Sequence, residues 1–150
     1  MPKLRGERKL VLFADASVIV AATLSPNGGS FRLFQESSCG NVLLATNHYA
    51  LDEAAEAIRK KYPQHISRLK QLISWSQIKI FKYPSQKVVF KYLNLINAED
   101  APILAGAAEA KAQFLLTLDR KDFLTNALQQ SKLPFVITTP RDFFQQYHLF

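Results

Sequence analysis

The sequence predicts an α/β fold, a three-layer α/β/α sandwich around a central parallel sheet of about five strands. Two observations carry that expectation. Short apolar runs alternate with helical patterns along the whole chain. Those runs are continuously apolar, as in strands covered on both faces, and do not alternate with polar residues.

The elements follow in order. KLVLFA (9–14) is a short apolar run ending at Asp15 and reads as the first strand. ASVIVAATL (16–24) has helical spacing, and SPNGGS (25–30) is a loop from which Ser30 is placed to cap a short helix, FRLFQES. Cys39-Gly40-Asn41 ends that helix, and NVLLAT (41–46) is a second buried strand. A helix from Asn47 to Lys61 turns Leu51, Ala54, Ala55 and Ile58 inward. Pro63 opens the next helix, with Ile66, Leu69, Leu72 and Ile73 on its core face. IKIF (78–81) is a third strand, and Pro84 and Ser85 start an amphipathic helix to about Ile96. An alanine-rich helix begins at Asp100, because Pro102 is tolerated only in a first turn. FLLTL (114–118) and FVITT (135–139) are the last strands, and Pro140 precedes a short C-terminal helix.

The 150 residues form one domain, with 1–8 expected as a flexible extension. A chain of this length buries about two-thirds of its unfolded surface, so its core needs no staple. The single cysteine, Cys39, excludes an internal disulfide framework and fits a reducing, cytoplasmic setting. The basic start and following apolar stretch resemble a signal peptide, but Asp15 interrupts the part that should carry no charge. The flanking apolar runs are too short to span a bilayer, so no membrane association is expected. The formal charge of +7 favours polyanionic partners, nucleic acid before an anionic membrane.

Acids at element ends are the candidate site. In a parallel sheet, ligands bind beyond the carboxyl ends of the strands, where strand order reverses. Asp15 ends the first strand and Asp119 the fourth, so both lie on one edge. Asp15 is the harder to dismiss as turn chemistry, since an anion within an apolar run needs partners. Asp100 can cap its helix, a role worth about 0.3–1 kcal/mol. Glu53 has no basic residue in helical register, whereas Glu56 has Lys60 four residues on. Spacing alone places neither Asp100 nor Glu53 at the edge.

Four blocks resemble the PIN-domain family, small nucleases that include the VapC-type toxins of prokaryotic toxin–antitoxin pairs. They are VLFADASVIVAA, YALDEAAEAI, EDAPILAGAAEAKAQFLLTLDRKDF and VITTPRDFF, spread over about residues 9–144. The resemblance implies a site of Asp15, Glu53, Asp100 and Asp119. Asp15, Asp100 and Asp119 would bind Mg²⁺ or Mn²⁺, with Asp100 also capping its helix. Ser17 and Thr117 match the supporting hydroxyls, and Asp122 stands where some members carry an additional acid. The implied activity is cleavage of single-stranded RNA, with a cognate antitoxin and a second copy of the chain as partners.

The residue types suit that chemistry. Carboxylates without His or Cys are ligands for hard cations. Clustered anions repel by about 4 kcal/mol per pair at 4 Å and an effective dielectric near 20, and a divalent cation removes that repulsion. Arg120 and Lys121 are the nearest cations for a phosphate backbone. Further basic charge lies at Arg5, Arg8, Lys9, Arg59, Lys60, Lys61, Lys79 and Lys82.

Other chemistries fit less well. A haloacid-dehalogenase phosphatase needs an aspartate where Ser17 stands. A receiver domain needs an acidic pair and a late lysine that are not found. No G-x-G-x-x-G turn exists for a dinucleotide. His48, His65 and His148 share no metal-like spacing and read as surface or packing residues. Two alternatives remain beside the toxin nuclease. One is a PIN-like module that binds RNA or protein without cutting; the other is a PIN nuclease of RNA processing.

Overall fold

A computed structural model describes residues 9–147. Arg5, Arg8, His148 and the expected extension over 1–8 lie outside the described residues. The strands are β1 (Val11–Ala14), β2 (Leu43–Asn47), β3 (Lys79–Phe81), β4 (Phe114–Leu116) and β5 (Val136–Thr138). The helices are α1 (Ala16–Leu24), α2 (Gly29–Ser38), α3 (His48–Lys61), α4 (Ile66–Ser76), α5 (Gln86–Tyr92), α6 (Ala101–Glu109), α7 (Arg120–Phe123), α8 (Asn126–Gln130) and α9 (Pro140–Gln146). A short 3₁₀ turn, Pro63–His65, leads into α4.

All five strands are parallel, in the order β3-β2-β1-β4-β5. Helical layers flank the sheet, as the apolar strands require. Leu12, Phe13 and Ala14 of β1 and Leu115 and Leu116 of β4 are wholly buried. Each large side chain there contributes roughly 1.5–3 kcal/mol by leaving water. The order runs outward from β1 through β2 and β3, then resumes on the other side with β4 and β5. It therefore reverses between β1 and β4, and the carboxyl ends of these two strands border the crevice.

Helix α6 sits directly on that central pair. Its buried face is mostly small: Ala101, Ala105, Gly106 and Ala107, with Ile103 and Leu104. A Cβ at Gly106 would stand 2.3 Å from Asn47 Nδ2 and 2.6 Å from the Phe13 ring. Even Gly106→Ala would thus force Asn47, Phe13 or α6 to shift. The alanines and glycine serve close approach, and helix propensity alone would not require the glycine.

Several local expectations change. Ser30 is not a cap: α2 begins at Gly29, its N-cap is Gly28, and Ser30 is buried in the first turn. The helix expected to reach Ile96 ends at Tyr92, and Leu93 and Leu95 are left exposed. The short helices α7 and α8, of four and five residues, fall below the length at which periodicity gives a signal. The Glu56–Lys60 ion pair forms as expected, at 2.9 Å on the exposed face of α3. Among the described residues, no helix is long and apolar enough to cross a membrane.

Candidate active site

Asp15 follows β1 directly and is the N-cap of α1, where its carboxylate accepts from the Val18 N–H at 3.2 Å. Ser17 Oγ donates to one carboxylate oxygen at 2.5 Å, and Thr117 Oγ1 donates to the other. Each hydroxyl also accepts a backbone N–H from the end of β4. Leu118 N–H donates to Ser17 Oγ at 3.0 Å, and Asp119 N–H to Thr117 Oγ1 at 3.0 Å. Two hydroxyls therefore relay the chain after β4 to the carboxylate after β1. The anion in the apolar run has found its partners, at 4% exposure. Burial raises the Asp15 carboxyl to about 6, against the opposing pull of the hydrogen bonds from Ser17, Thr117 and Val18.

The expected strand 114–118 is shorter, ending at Leu116, and Asp119 lies three residues beyond it, capping α7 by accepting from the Asp122 N–H at 3.0 Å. That turn carries the Asp122 side chain back toward the strand end. Asp100 comes from a third element. It occupies the N-cap position of α6, but its side chain makes no capping hydrogen bond, contrary to expectation. Asn97 Nδ2 donates to the carboxylate at 2.7 Å, while Asn97 Oδ1 accepts the Asp100 N–H at 2.9 Å. The carboxylate is thereby turned away from its own helix. Asp100, Asp119 and Asp122 each offer an oxygen within 4.8 Å of the others, and all three are half-buried. Burial raises Asp100 above the usual carboxylate range, and the charges of Asp122, Asp119 and Glu99 add to the rise.

Glu53 lies in the second turn of α3. Its surface is exposed, yet its carboxyl is pushed up to about 7, by partial desolvation first and then by the charges of Asp100 and Asp15. Water screens an exposed carboxylate and so weakens what this rise contributes to stability. Its two main charged neighbours are the acids it was expected to join. Crossover geometry explains why. A helix linking parallel strands runs antiparallel to them, so α3 and α6 both begin at the carboxyl edge. Spacing within each helix did not show this.

The structure thus gathers all five acids along one edge. The tight group is Asp100, Asp119 and Asp122; Asp15 is not among the carboxylates within 4.8 Å of one another. Asp122, read from sequence only as an additional acid, stands inside it. Arg120 and Lys121 are exposed on the first turn of α7. The edge is open and polar. The apolar cleft of about 380 Å³ beside Phe31 and Trp75 is lined by none of these acids.

Three residues that sequence reasoning did not single out hold Asp100 in place. Asn97 stands three residues before it, a spacing at which side chain and backbone can pair reciprocally. Asn47 and Tyr49 act over long range. Asn47 caps α3 through the Ala50 N–H at 2.9 Å and donates to the Pro102 carbonyl at 3.3 Å. Tyr49 donates its hydroxyl to the Glu99 carbonyl at 2.6 Å. These two ties bracket Asp100 and fasten the start of α6 to the start of α3.

Three carboxylate oxygens within reach of one another, with one carboxyl raised by burial and then by its acidic neighbours, fit a hard divalent cation. No family model matches the sequence, and no curated protein matches it. Solved structures do. The chain is similar to VapBC2 from Rickettsia felis, solved bound to a DNA fragment from its promoter. The TM-score is 0.64 at 19% identity, over 87% of this chain and 98% of that one. A protein from Pyrobaculum aerophilum gives a TM-score of 0.62 at 17% identity, over 95% and 92% of the two chains. VapC20 from Mycobacterium tuberculosis, described as a sarcin–ricin loop cleaving toxin, gives 0.57 at 12%, over 73% and 91%. The shared architecture is the PIN-domain fold of VapC-like proteins.

Proposed function

We propose that this PIN-fold chain is a Mg²⁺- or Mn²⁺-dependent endoribonuclease that hydrolyses single-stranded RNA, and that it is the toxin of a toxin–antitoxin pair. One observation carries the reading: Asp100, Asp119 and Asp122 converge at the point where strand order reverses, with Asp15 and Glu53 beside them. The likeness to VapC20, described as cleaving the sarcin–ricin loop, supports RNA as substrate. The likeness to VapBC2 supports an antitoxin partner.

In this reading Asp100, Asp119 and Asp122 hold the divalent cation, and Asp15 completes the acidic set. When bound, such an ion withdraws charge from a phosphoryl oxygen and supplies hydroxide at neutral pH. The chain's own residues do the rest. Ser17 and Thr117 fix the Asp15 carboxylate and bind it to the end of β4. Glu53, reachable by water, accepts a proton from the attacking water at its carboxylate. Arg120 and Lys121 hold the phosphates on either side of the cut.

The test is a labelled single-stranded RNA at low salt with each metal. Cutting is expected with Mg²⁺ or Mn²⁺ and none with EDTA. Asp119→Asn should lose activity on the order of 10³-fold, because metal-assisted charge stabilisation is worth several kcal/mol. Salt-sensitive binding without cutting by the wild-type chain, across varied RNAs, would replace the nuclease with a binding module.

A further inference from the structure

A second feature is built on α3 and α6, two of the helices that carry the acids. A shallow cleft of about 370 Å³ runs between α3, α5 and the first turn of α6, within the size range of small-ligand clefts. Tyr49 and Pro102 line its inner end, two residues from Asp100 along the chain on the α6 side. Tyr83, Val89 and Phe90 line its outer part. Phe90 is 75% exposed and Tyr83 58%, high for large aromatic rings.

Tyr83 is held in a fixed orientation. Its ring stacks on His48, with centroids 5.7 Å apart and planes 29° from parallel, and its hydroxyl donates to Asp52. A ring locked by a neighbour and a hydrogen bond costs little further entropy when something stacks on it. The surrounding segment is basic. From Lys79 to Lys91 the sequence is KIFKYPSQKVVFK, with four lysines and no acid. All four are exposed, and Lys87 and Lys91, one turn apart on α5, stand beside Phe90 at the edge of the cleft-lining face. Beside Tyr83 and α5 the acids have partners: Asp52 accepts from Tyr83, and Glu109 accepts from the Ser85 N–H at 3.3 Å, while Glu53, Glu99 and Asp100 lie toward Tyr49.

We propose that this cleft is a base-stacking subsite, in which Tyr83 and Phe90 receive the bases of single-stranded RNA adjacent to the cut while Lys82, Lys87 and Lys91 track its phosphates. Exposed aromatics among lysines on a shallow surface are how sequence-tolerant single-strand binding is built. Charge selects this occupant over a second copy of the chain. An isologous pairing through Phe90 would bring the adjacent Lys87 and Lys91 of one α5 close to their own images. The inference rests on the nuclease reading, since it supplies the substrate of that site.

Binding is measured by anisotropy in EDTA, using a labelled single-stranded RNA and an abasic oligonucleotide of equal length. Tyr83→Ala and Phe90→Ala should each weaken RNA binding about tenfold or more and leave abasic binding unchanged. Lys87→Ala should weaken both. Both rings are exposed, so these variants should fold like the wild type, and their melting temperatures serve as the check. Unchanged RNA affinity in both aromatic variants would overturn the subsite while leaving the nuclease reading intact. Loss of a solution dimer in Phe90→Ala, with RNA affinity unchanged, would reassign the face to self-association. Failure of the wild-type chain to bind or cut any RNA would remove the nuclease reading, and the subsite with it.

Discussion

Asp15 and Asp122 are carboxylates on the same sheet edge, yet one is surrounded by hydrogen-bond donors and the other by acids. Asp15 accepts from two hydroxyls and an N–H and is nearly sealed from water. Asp122 is half-buried and faces Asp100 and Asp119. The first arrangement fixes a carboxylate in position before any ligand arrives. The second crowds like charges that pair with no basic side chain among the described residues, and a cation relieves that repulsion. The contrast teaches that the site has an anchored half, tied to the β1–β4 crevice, and a ligand-ready half assembled from α6 and α7.

The contrast has a pH signature. Asp15 and Glu53 both have folded-state values above the ordinary ones, about 6 and about 7 against 3.8 and 4.5. Between those limits the unfolded chain has released protons that the folded protein still holds. Stability of the metal-free protein therefore falls as pH rises from about 4 to about 7. Asp15 alone accounts for about 3 kcal/mol at most, from two pKa units at 1.36 kcal/mol each. Glu53 adds in the same direction, reduced by solvent screening. Urea unfolding in EDTA at pH 4.5 and pH 8 measures the difference. Asp15→Asn should remove most of the Asp15 share, since a neutral amide has no ionisation to suppress. A profile that rises with pH in the wild type would show that the hydrogen bonds outweigh burial at Asp15.

Much of this site was legible beforehand, and unevenly so. Asp15 and Asp119 followed from strand ends in a parallel sheet, because continuous apolar runs such as VLFA and FLL mark those strands clearly. The places of Asp100 and Glu53 were not legible from spacing within their helices. They follow from crossover direction, which is a property of the whole sheet. Asp122 entered through α7, a single turn too short to show a period. The ties from Asn47 and Tyr49 to the start of α6 span about fifty residues and leave no local pattern. The side-chain capping expected of Asp100 failed because Asn97 competes for the same carboxylate.

Deleting carboxylates separates the halves further. Asp15→Ala leaves the buried Thr117 hydroxyl, the half-buried Ser17 hydroxyl and the Val18 N–H without their acceptor, which costs about 1–3 kcal/mol. Asp122→Ala removes a half-exposed acid from a repulsive group, and its effect should stay within about 0.5 kcal/mol or stabilise slightly. The comparison belongs at pH 5 in EDTA, where Asp15 is largely protonated and its ionisation contributes little. Equal losses from both variants would show that Asp122 is as structural as Asp15, and the division into two halves would fall.

The smallest expected effect is also the most specific. If the ligand-ready half depends on where α6 begins, the ties that set that start should matter to metal and little to folding. Tyr49→Phe removes only the hydroxyl that reaches the Glu99 carbonyl and keeps the ring. That hydrogen bond is exposed, so its loss should cost no more than about 1 kcal/mol of stability. Asp100 follows Glu99 directly, and a loosened loop lets its carboxylate drift from Asp119 and Asp122. Outer groups that orient ligands are worth roughly 10–100-fold in metal affinity, and one exposed tie should lie at the lower end, about tenfold. Titration calorimetry with Mn²⁺ reads this without any cleavage. The pH slope assigned to Asp15 should be untouched, because the Tyr49 hydroxyl donates to Glu99 and to none of the groups bonded to Asp15. A Tyr49→Phe variant with full Mn²⁺ affinity would mean that Asn97 and Asn47 alone position Asp100. A variant that also lost the Asp15 pH slope would mean that the two halves are one mechanically coupled unit.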